Sequence, residues 1–164
     1  MGLRQTAAVF FTLLAVGVHA GPFTPGNLVV YRVGGVPPGG VPPAPTLVGT
    51  GNVVLLDEYT TSGVLVQSVA LPTVLNGAQR PLVASGTATS DGLLTRSADG
   101  TCLAVTGYGR DLSAASIAGG NLTSGTIGVG GPPVPRVVAR VLANGLIDTS
   151  TALGDAATGT NFRG

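Results

Sequence analysis

The sequence predicts an all-β, antiparallel fold, and three observations carry that prediction. Apolar runs rich in Val, Leu and Thr are short and bounded by Gly, Pro, Asn and Ser. Tight Gly-containing turns join several of those runs in pairs. Beyond residue 20, no stretch keeps a helical period of 3.6 for more than two turns.

The expected strands are Leu28 to Val33, Val53 to Tyr59, Val64 to Leu71, Leu82 to Thr87, Leu93 to Ser97, Thr101 to Tyr108, Arg136 to Leu142 and Leu146 to Thr151. Thr61-Ser62-Gly63 joins the second and third strands. Ala98-Asp99-Gly100 joins the fifth and sixth, and Asn144-Gly145 joins the last two. The Asn-Gly pair favours a type I′ turn, because both residues tolerate positive φ. Val64 to Leu71 is mainly apolar on both faces, a pattern that suits a sheet packed between neighbouring sheets.

The strands recur in order. NLVVYRVG from Asn27 aligns with CLAVTGYG from Cys102, an offset of 75 residues (102 − 27). LLDEYTTSGVLVQSVAL from Leu55 aligns with VVARVLANGLIDTSTAL from Val137, an offset of 82 (137 − 55). The longer offset places an insertion in the loop before the second hairpin. One unit is then a strand, a long loop and a hairpin, the kind of spacing found in propellers, barrels and sandwiches of similar hairpins.

The first twenty residues stand apart. MGLRQTAAVFFTLLAVGVHA has a cationic Arg4, an uncharged apolar run from Ala7 to Val18, and the small-x-small triplet Val18-His19-Ala20. That is the pattern of a secretory signal peptide, with Gly21 as the expected mature start. A buried N-terminal helix is the first rival reading. A membrane anchor is the second, but such a run spans about 18 Å as helix against roughly 30 Å of hydrocarbon. The domain expectation is therefore 1–20 as signal peptide and 21–164 as a β-repeat region. No transmembrane span and an extracellular location, periplasmic or cell-surface in a bacterium, follow from that reading.

Composition narrows the chemistry. Of the 164 residues 44% are hydrophobic and only 9% charged, and the formal charge is +1. All eight basic residues are Arg, and they are scattered, which argues against nucleic acid as a partner. The single Cys, Cys102, excludes a disulfide within one chain, and it reads as a buried, inert thiol. Removal of residues 1–20 takes Arg4 and the only His, leaving seven Arg against seven acids. A mature chain without His or Lys has no Ser-His-Asp triad, Cys-His dyad, Schiff-base Lys or His-ligated metal.

No residue is therefore assigned as catalytic, cofactor-binding or metal-binding, and no cofactor is expected. Asp57 and Glu58 are adjacent acids, but a strand points them to opposite faces, so they do not form a catalytic pair. Their expected place is a strand end reaching solvent. Asp91-Gly92 and Asp99-Gly100 are read as turn residues. Tyr31, Tyr59 and Tyr108 lack the Trp partners of a sugar-stacking platform. Asn121-Leu122-Thr123 fits a glycosylation acceptor in hosts that glycosylate secreted proteins. The Gly/Pro-rich loops 34–52 and 109–135 read first as low-complexity insertions and second as recognition loops.

SADGTCLAVTG, from Ser97 to Gly107, resembles the Ser-x-Asp-Gly hairpin and following apolar strand of β-propeller repeats of the WD-repeat and YVTN types. NLVVYRVG, LLDEYTTSGVLVQSVALP and LLTRSADG are similar to repeats of secreted propeller-like proteins. The resemblance implies antiparallel four-stranded blades, with the two long loops on one rim. It covers fewer than two blades, and the chain ends in mid-repeat. These features lead to an expectation of a secreted, non-enzymatic β-repeat protein that acts as a binding or structural module. The partner is an extracellular ligand or protein, with self-association through open sheet edges. The alternatives are an N-terminal fragment of a secreted propeller-type hydrolase or lyase, with catalytic residues in absent blades, and a truncated product without function.

Overall fold

The computed structural model describes residues 20–40, 46–112, 117, 120–121, 125–126 and 133–157. The expected signal peptide lies outside the described residues except for Ala20. So do the Leu122-Thr123 portion of the glycosylation motif and residues 158–164.

The described residues form β-strands and connecting segments without a helix. Eleven strands occur: β1 (Leu28–Val33), β2 (Gly51–Asn52), β3 (Val54–Tyr59), β4 (Leu65–Ala70), β5 (Ala84–Ser85), β6 (Leu94–Arg96), β7 (Cys102–Tyr108), β8 (Gly120–Asn121), β9 (Gly125–Thr126), β10 (Arg136–Leu142) and β11 (Ile147–Leu153). The first sheet is ordered β1-β3-β4 and the second β11-β10-β7-β6. Every pairing is antiparallel and each sheet runs in chain order, with β2 in the connection from β1 to β3 and β8 and β9 in that from β7 to β10. Two short ladders, β2-β5 and β8-β9, complete the pairing.

The registers are specific. Leu28 faces Tyr59 and Arg32 faces Leu55 across β1 and β3. Leu103 faces Val141 and Gly107 faces Val137 across β7 and β10. Leu55 faces Ala70 in the first hairpin, and Val137 faces Ala152 in the second. Each hairpin carries one irregularity, at Glu58/Tyr59 and at Val138/Arg140.

The sheets stack face to face over the larger of two apolar clusters. Val54, Leu56 and Val69 project from the first sheet, and Val105, Val137, Ala139 and Val141 from the second. The alternation of inward and outward residues is the period of two that a strand imposes, and it fixes the register because a one-residue slip would expose the whole set. Leu71, Leu82 and Ala84 extend the cluster from the connection that follows β4. The segment before β1 clasps both sheets. Phe23 packs on the core, and its N–H donates to the Ala143 carbonyl at 2.8 Å.

Several expectations are revised. The expected strand Leu82 to Thr87 contracts to two residues, Ala84–Ser85, plus an isolated bridge from Val83 to Tyr108. Both long loops contain short strands, β2 in the first and β8 and β9 in the second. The Asn144-Gly145 turn is not type I′, because Gly145 has φ +84° while Asn144 does not adopt positive φ. Gly145 N–H donates to Leu142 O, and Leu142 N–H to Leu146 O, both at 2.9 Å. This three-residue loop needs one left-handed residue only. Thr60 to Val64 forms the same turn, with Gly63 at φ +84°. Finally, β4 is an edge strand, so Leu65 and Val66 are exposed and its two apolar faces are not both covered.

Candidate functional site: the cleft where the long loops meet

Both long connections leave their sheets through equivalent necks. After β1, Gly34 N–H donates to the Val53 carbonyl at 2.7 Å, and after β7, Gly109 N–H donates to the Pro135 carbonyl at 2.8 Å. The loops meet over Gly51. A Cβ at that position would lie 3.2 Å from the Leu112 Cα and 3.1 Å from a Val83 methyl, so glycine permits the close approach. Asn52, buried beside it, holds the first loop in shape. Its Nδ2 donates to the Val48 carbonyl at 2.9 Å and the Thr50 carbonyl at 2.7 Å.

A cleft of about 320 Å³ opens within the first loop, with Leu112 of the second on its wall, and lies within the size range of small-ligand sites. Val36, Pro37, Val48 and Leu112 form its apolar walls, and Thr46 and Thr50 add hydroxyls. Among the described residues, no charged side chain lines it.

Beneath the cleft lies a buried polar layer. Val83 and Tyr108 exchange two backbone hydrogen bonds, at 3.0 and 2.8 Å. The fully buried Tyr108 ring lies under the Arg136 guanidinium, 4.9 Å from its centroid, a cation–π arrangement. Tyr108 Oη donates to Asp91 Oδ1 at 3.1 Å, and Arg136 Nη1 donates to the Val134 carbonyl at 2.7 Å. Burial lowers the Arg136 pKa, while Tyr108 and Asp91 oppose that shift. The guanidinium remains charged at any physiological pH. Tyr31 donates to the Thr106 carbonyl at 3.3 Å. Burial, then the charge of Asp91 and the neighbouring Tyr108, push its phenol well above the ordinary range. It is a structural hydroxyl at neutral pH.

The adjacent acids are not at a solvent-facing strand end. Asp57 is 2% exposed and Glu58 is fully buried. They do point to opposite faces of β3, and each is satisfied there. Burial raises the Asp57 pKa, but hydrogen bonds from Arg32 and Ser68 outweigh it and hold the carboxyl below its usual value. Glu58 follows the same balance. Thr24 N–H, Asn27 Nδ2 and Gln67 Nε2 each donate to its carboxylate at 2.7 Å. Both acids are anchors, held ionised and occupied, rather than proton donors.

A second cavity, of about 600 Å³, lies at the turn end of the sheets, between Phe23–Asn27 and the β6-β7 turn. Cys102 lines it and is half-buried, so the thiol is less enclosed than its apolar strand implied. Asp99 in that turn accepts hydrogen bonds from Ser97 and Thr101, which hold its carboxyl at about 2. Tyr59 is half-buried on β3, apart from Tyr31 and Tyr108. Among the described residues there is no cluster of three metal-ligating side chains. No helix among them is long and apolar enough to cross a membrane.

The sequence marked both loops, but not their convergence on Gly51 or the Tyr108–Arg136–Asp91 layer. The contact depends on how two sheets stack, and no local pattern encodes it. No protein-family model, curated protein or solved structure matches the chain.

Proposed function

We propose that the chain is a secreted, non-enzymatic β-repeat protein that acts as a binding module outside the cell. A cleft formed by the first long loop, with Leu112 of the second on its wall and no charged side chain among its described lining, carries the binding role. A rigid two-sheet scaffold presenting irregular loops at one end is a common way to build a recognition surface. The lining suits an uncharged, largely apolar group on an extracellular partner.

The repeat reading draws support from the registers. Shifts of 75 and 82 residues carry Arg32↔Leu55 onto Gly107↔Val137, and Leu28↔Tyr59 onto Leu103↔Val141. The hairpin pair Leu55↔Ala70 falls on Val137↔Ala152 under the longer shift. The neck bond Gly34–Val53 falls on Gly109–Pro135 under the two shifts. A propeller-like arrangement of successive sheets accords with this correspondence. The anchoring of Gly21 agrees with a mature start there, since its N–H donates to Gln67 Oε1 at 3.2 Å and its carbonyl accepts from Gln67 Nε2 at 3.2 Å.

Expression from Met1 in a secreting host tests location, with N-terminal sequencing of the exported chain. Gly21 is the expected first residue, and retention inside the cell with residues 1–20 intact would overturn the reading. Nile red, an uncharged apolar dye, tests the cleft. Bound dye should shift its emission to the blue, and Val48→Asp should abolish the shift. A shift unchanged by that substitution would remove the cleft from the proposal.

A further inference from the structure

We infer that the outward faces of the two sheets are complementary docking surfaces for a second copy of this chain, which stacks head to tail. The inference rests on the repeat reading above. Within one chain, the first sheet uses Val54, Leu56 and Val69 against Val105, Val137 and Ala139 of the second. Under the shifts of 75 and 82 residues, inward Val105, Val137 and Ala152 correspond to Val30, Leu55 and Ala70. Those three alternate with the inward residues of their own strands, so they lie on the outward face of the first sheet, where the chain itself already buries Leu55 and leaves Leu28 and Val30 as the open apolar residues. Conversely, inward Val29, Val54 and Leu56 correspond to Ala104, Arg136 and Val138 on the outward face of the second sheet, where Arg136 is already buried against Tyr108 and Ala104 and Val138 are half-buried.

Equivalent residues thus face opposite ways at the internal interface. The two sheets meet through unlike faces, which makes the contact heterologous. A heterologous contact leaves one unsatisfied face of each kind, and copies joined through them form a ring or a filament. The outward face of the first sheet has the composition of an interface. Leu28 is 58% exposed and Val30 46%, at the positions of Leu103 and Val105. Arg32 and Asp57 stand where Gly107 and Ala139 do, and they pair with each other. Arg140 and Asp148 pair at 2.9 Å on the second sheet. These two pairs match their charges locally, and the remaining charge of the second face, Arg136, is buried against the Tyr108 ring, so no unmatched charge is exposed to an apolar neighbour on these strands. Both long-loop necks lie at the opposite strand ends, away from Leu28, Val30 and Ala104.

Sedimentation velocity of the exported full chain, as a function of concentration, tests the inference. The expected mass rises past a dimer as concentration increases. Val30→Arg places a cation opposite Asp57, and Ala104→Glu places an anion opposite Arg140, so neither burdens its own sheet. Each variant alone should remain monomeric with an unchanged circular dichroism spectrum. Their equimolar mixture should form a one-to-one dimer, because each keeps the face the other lacks. A wild-type chain that stays monomeric overturns the stacking, and so does a mixture that fails to pair. Export with Gly21 at the N-terminus would leave the extracellular reading standing in that case, so the two failures are distinguishable.

Discussion

Replacing Glu58 with Ala should free the N-terminal segment from both sheets at a measurable cost in stability. The carboxylate accepts three hydrogen bonds, each 2.7 Å, from Thr24 N–H, Asn27 Nδ2 and Gln67 Nε2. A hydrogen bond to a charged group contributes about 1.5–3 kcal/mol. The simple sum overstates the loss, because the donors lie in part-buried segments and regain water once the carboxylate is gone. A net destabilisation of about 3 kcal/mol is expected. Urea unfolding at neutral pH reads it directly. Amide exchange at Thr24 gives the specific signature, since its protection should collapse while that of Val137 in the core persists. Glu58→Gln keeps the shape and should cost less, because its amide oxygen still accepts from two donors. The pH dependence has a definite sign. The folded-state pKa of Glu58 is depressed below its unfolded value. Its stabilisation is therefore fully present above the unfolded pKa, near 4.3, and is lost as pH falls through the folded value. The Gln variant should show a smaller loss of stability on acidification than the parent. Unchanged Thr24 protection in Glu58→Ala, or a cost under about 0.5 kcal/mol, would refute the anchoring role.

Other outcomes can be measured independently. Leu56→Ala empties a fully buried site at the sheet–sheet interface and should cost about 2–5 kcal/mol in urea unfolding. Gly145→Ala forces a side chain into φ +84° and should destabilise by more than about 1 kcal/mol. Gly154, which has no positive φ and open space at its Cβ, should tolerate Ala without that loss. The Asp99 carboxyl should titrate at about 2 by carbon NMR, and Thr101→Ala should raise that value while removing one of its hydrogen-bond donors. Cys102 should react with a thiol reagent in the native state, because it is half-buried on the wall of the larger cavity.

The limits of the sequence reading have physical causes. β1 and β10 fall on the expected residues, because each is a β-branched run ended by a clear boundary: Gly34 after β1, Pro135 before β10. The chain-neighbour pairings follow from short Gly turns, which leave adjacent strands little choice but to pair. The turn class at Asn144 was not legible, because Asn tolerates both signs of φ and the strand register decides between them. Leu82 to Thr87 has strand composition, yet only Ala84–Ser85 pairs within a ladder. Its apolar residues are recruited by the core instead: Leu82, Val83 and Ala84 are fully buried. The burial of Asp57 and Glu58 was hidden for a related reason. Their partners are Arg32, Ser68, Thr24, Asn27 and Gln67, which lie on three other segments. Adjacency in sequence advertises a pair, whereas the fold separates the two acids and satisfies each on its own face, Asp57 with Arg32 and Ser68, Glu58 with uncharged donors.

The low charge of the chain acquires a specific meaning from the way the sheets meet. An apolar outward face on an isolated two-sheet stack carries a solubility cost, and natural proteins usually offset it with Lys or other charges on open edges. This chain has no Lys; on the outward faces Arg32 pairs with Asp57 and Arg140 with Asp148, while Arg136 is buried against Tyr108. Pairing opposite charges locally leaves each face without a net charge, so a like sheet can approach without repulsion. The stacking proposed above would cover Leu28 and Val30, which are exposed on an edge strand. On this reasoning, adding net charge to the outward face without touching the core, as Val30→Arg does, should raise solubility and suppress stacking together. A variant that gains solubility but still stacks would separate the two effects and show that the apolar face is not the contact.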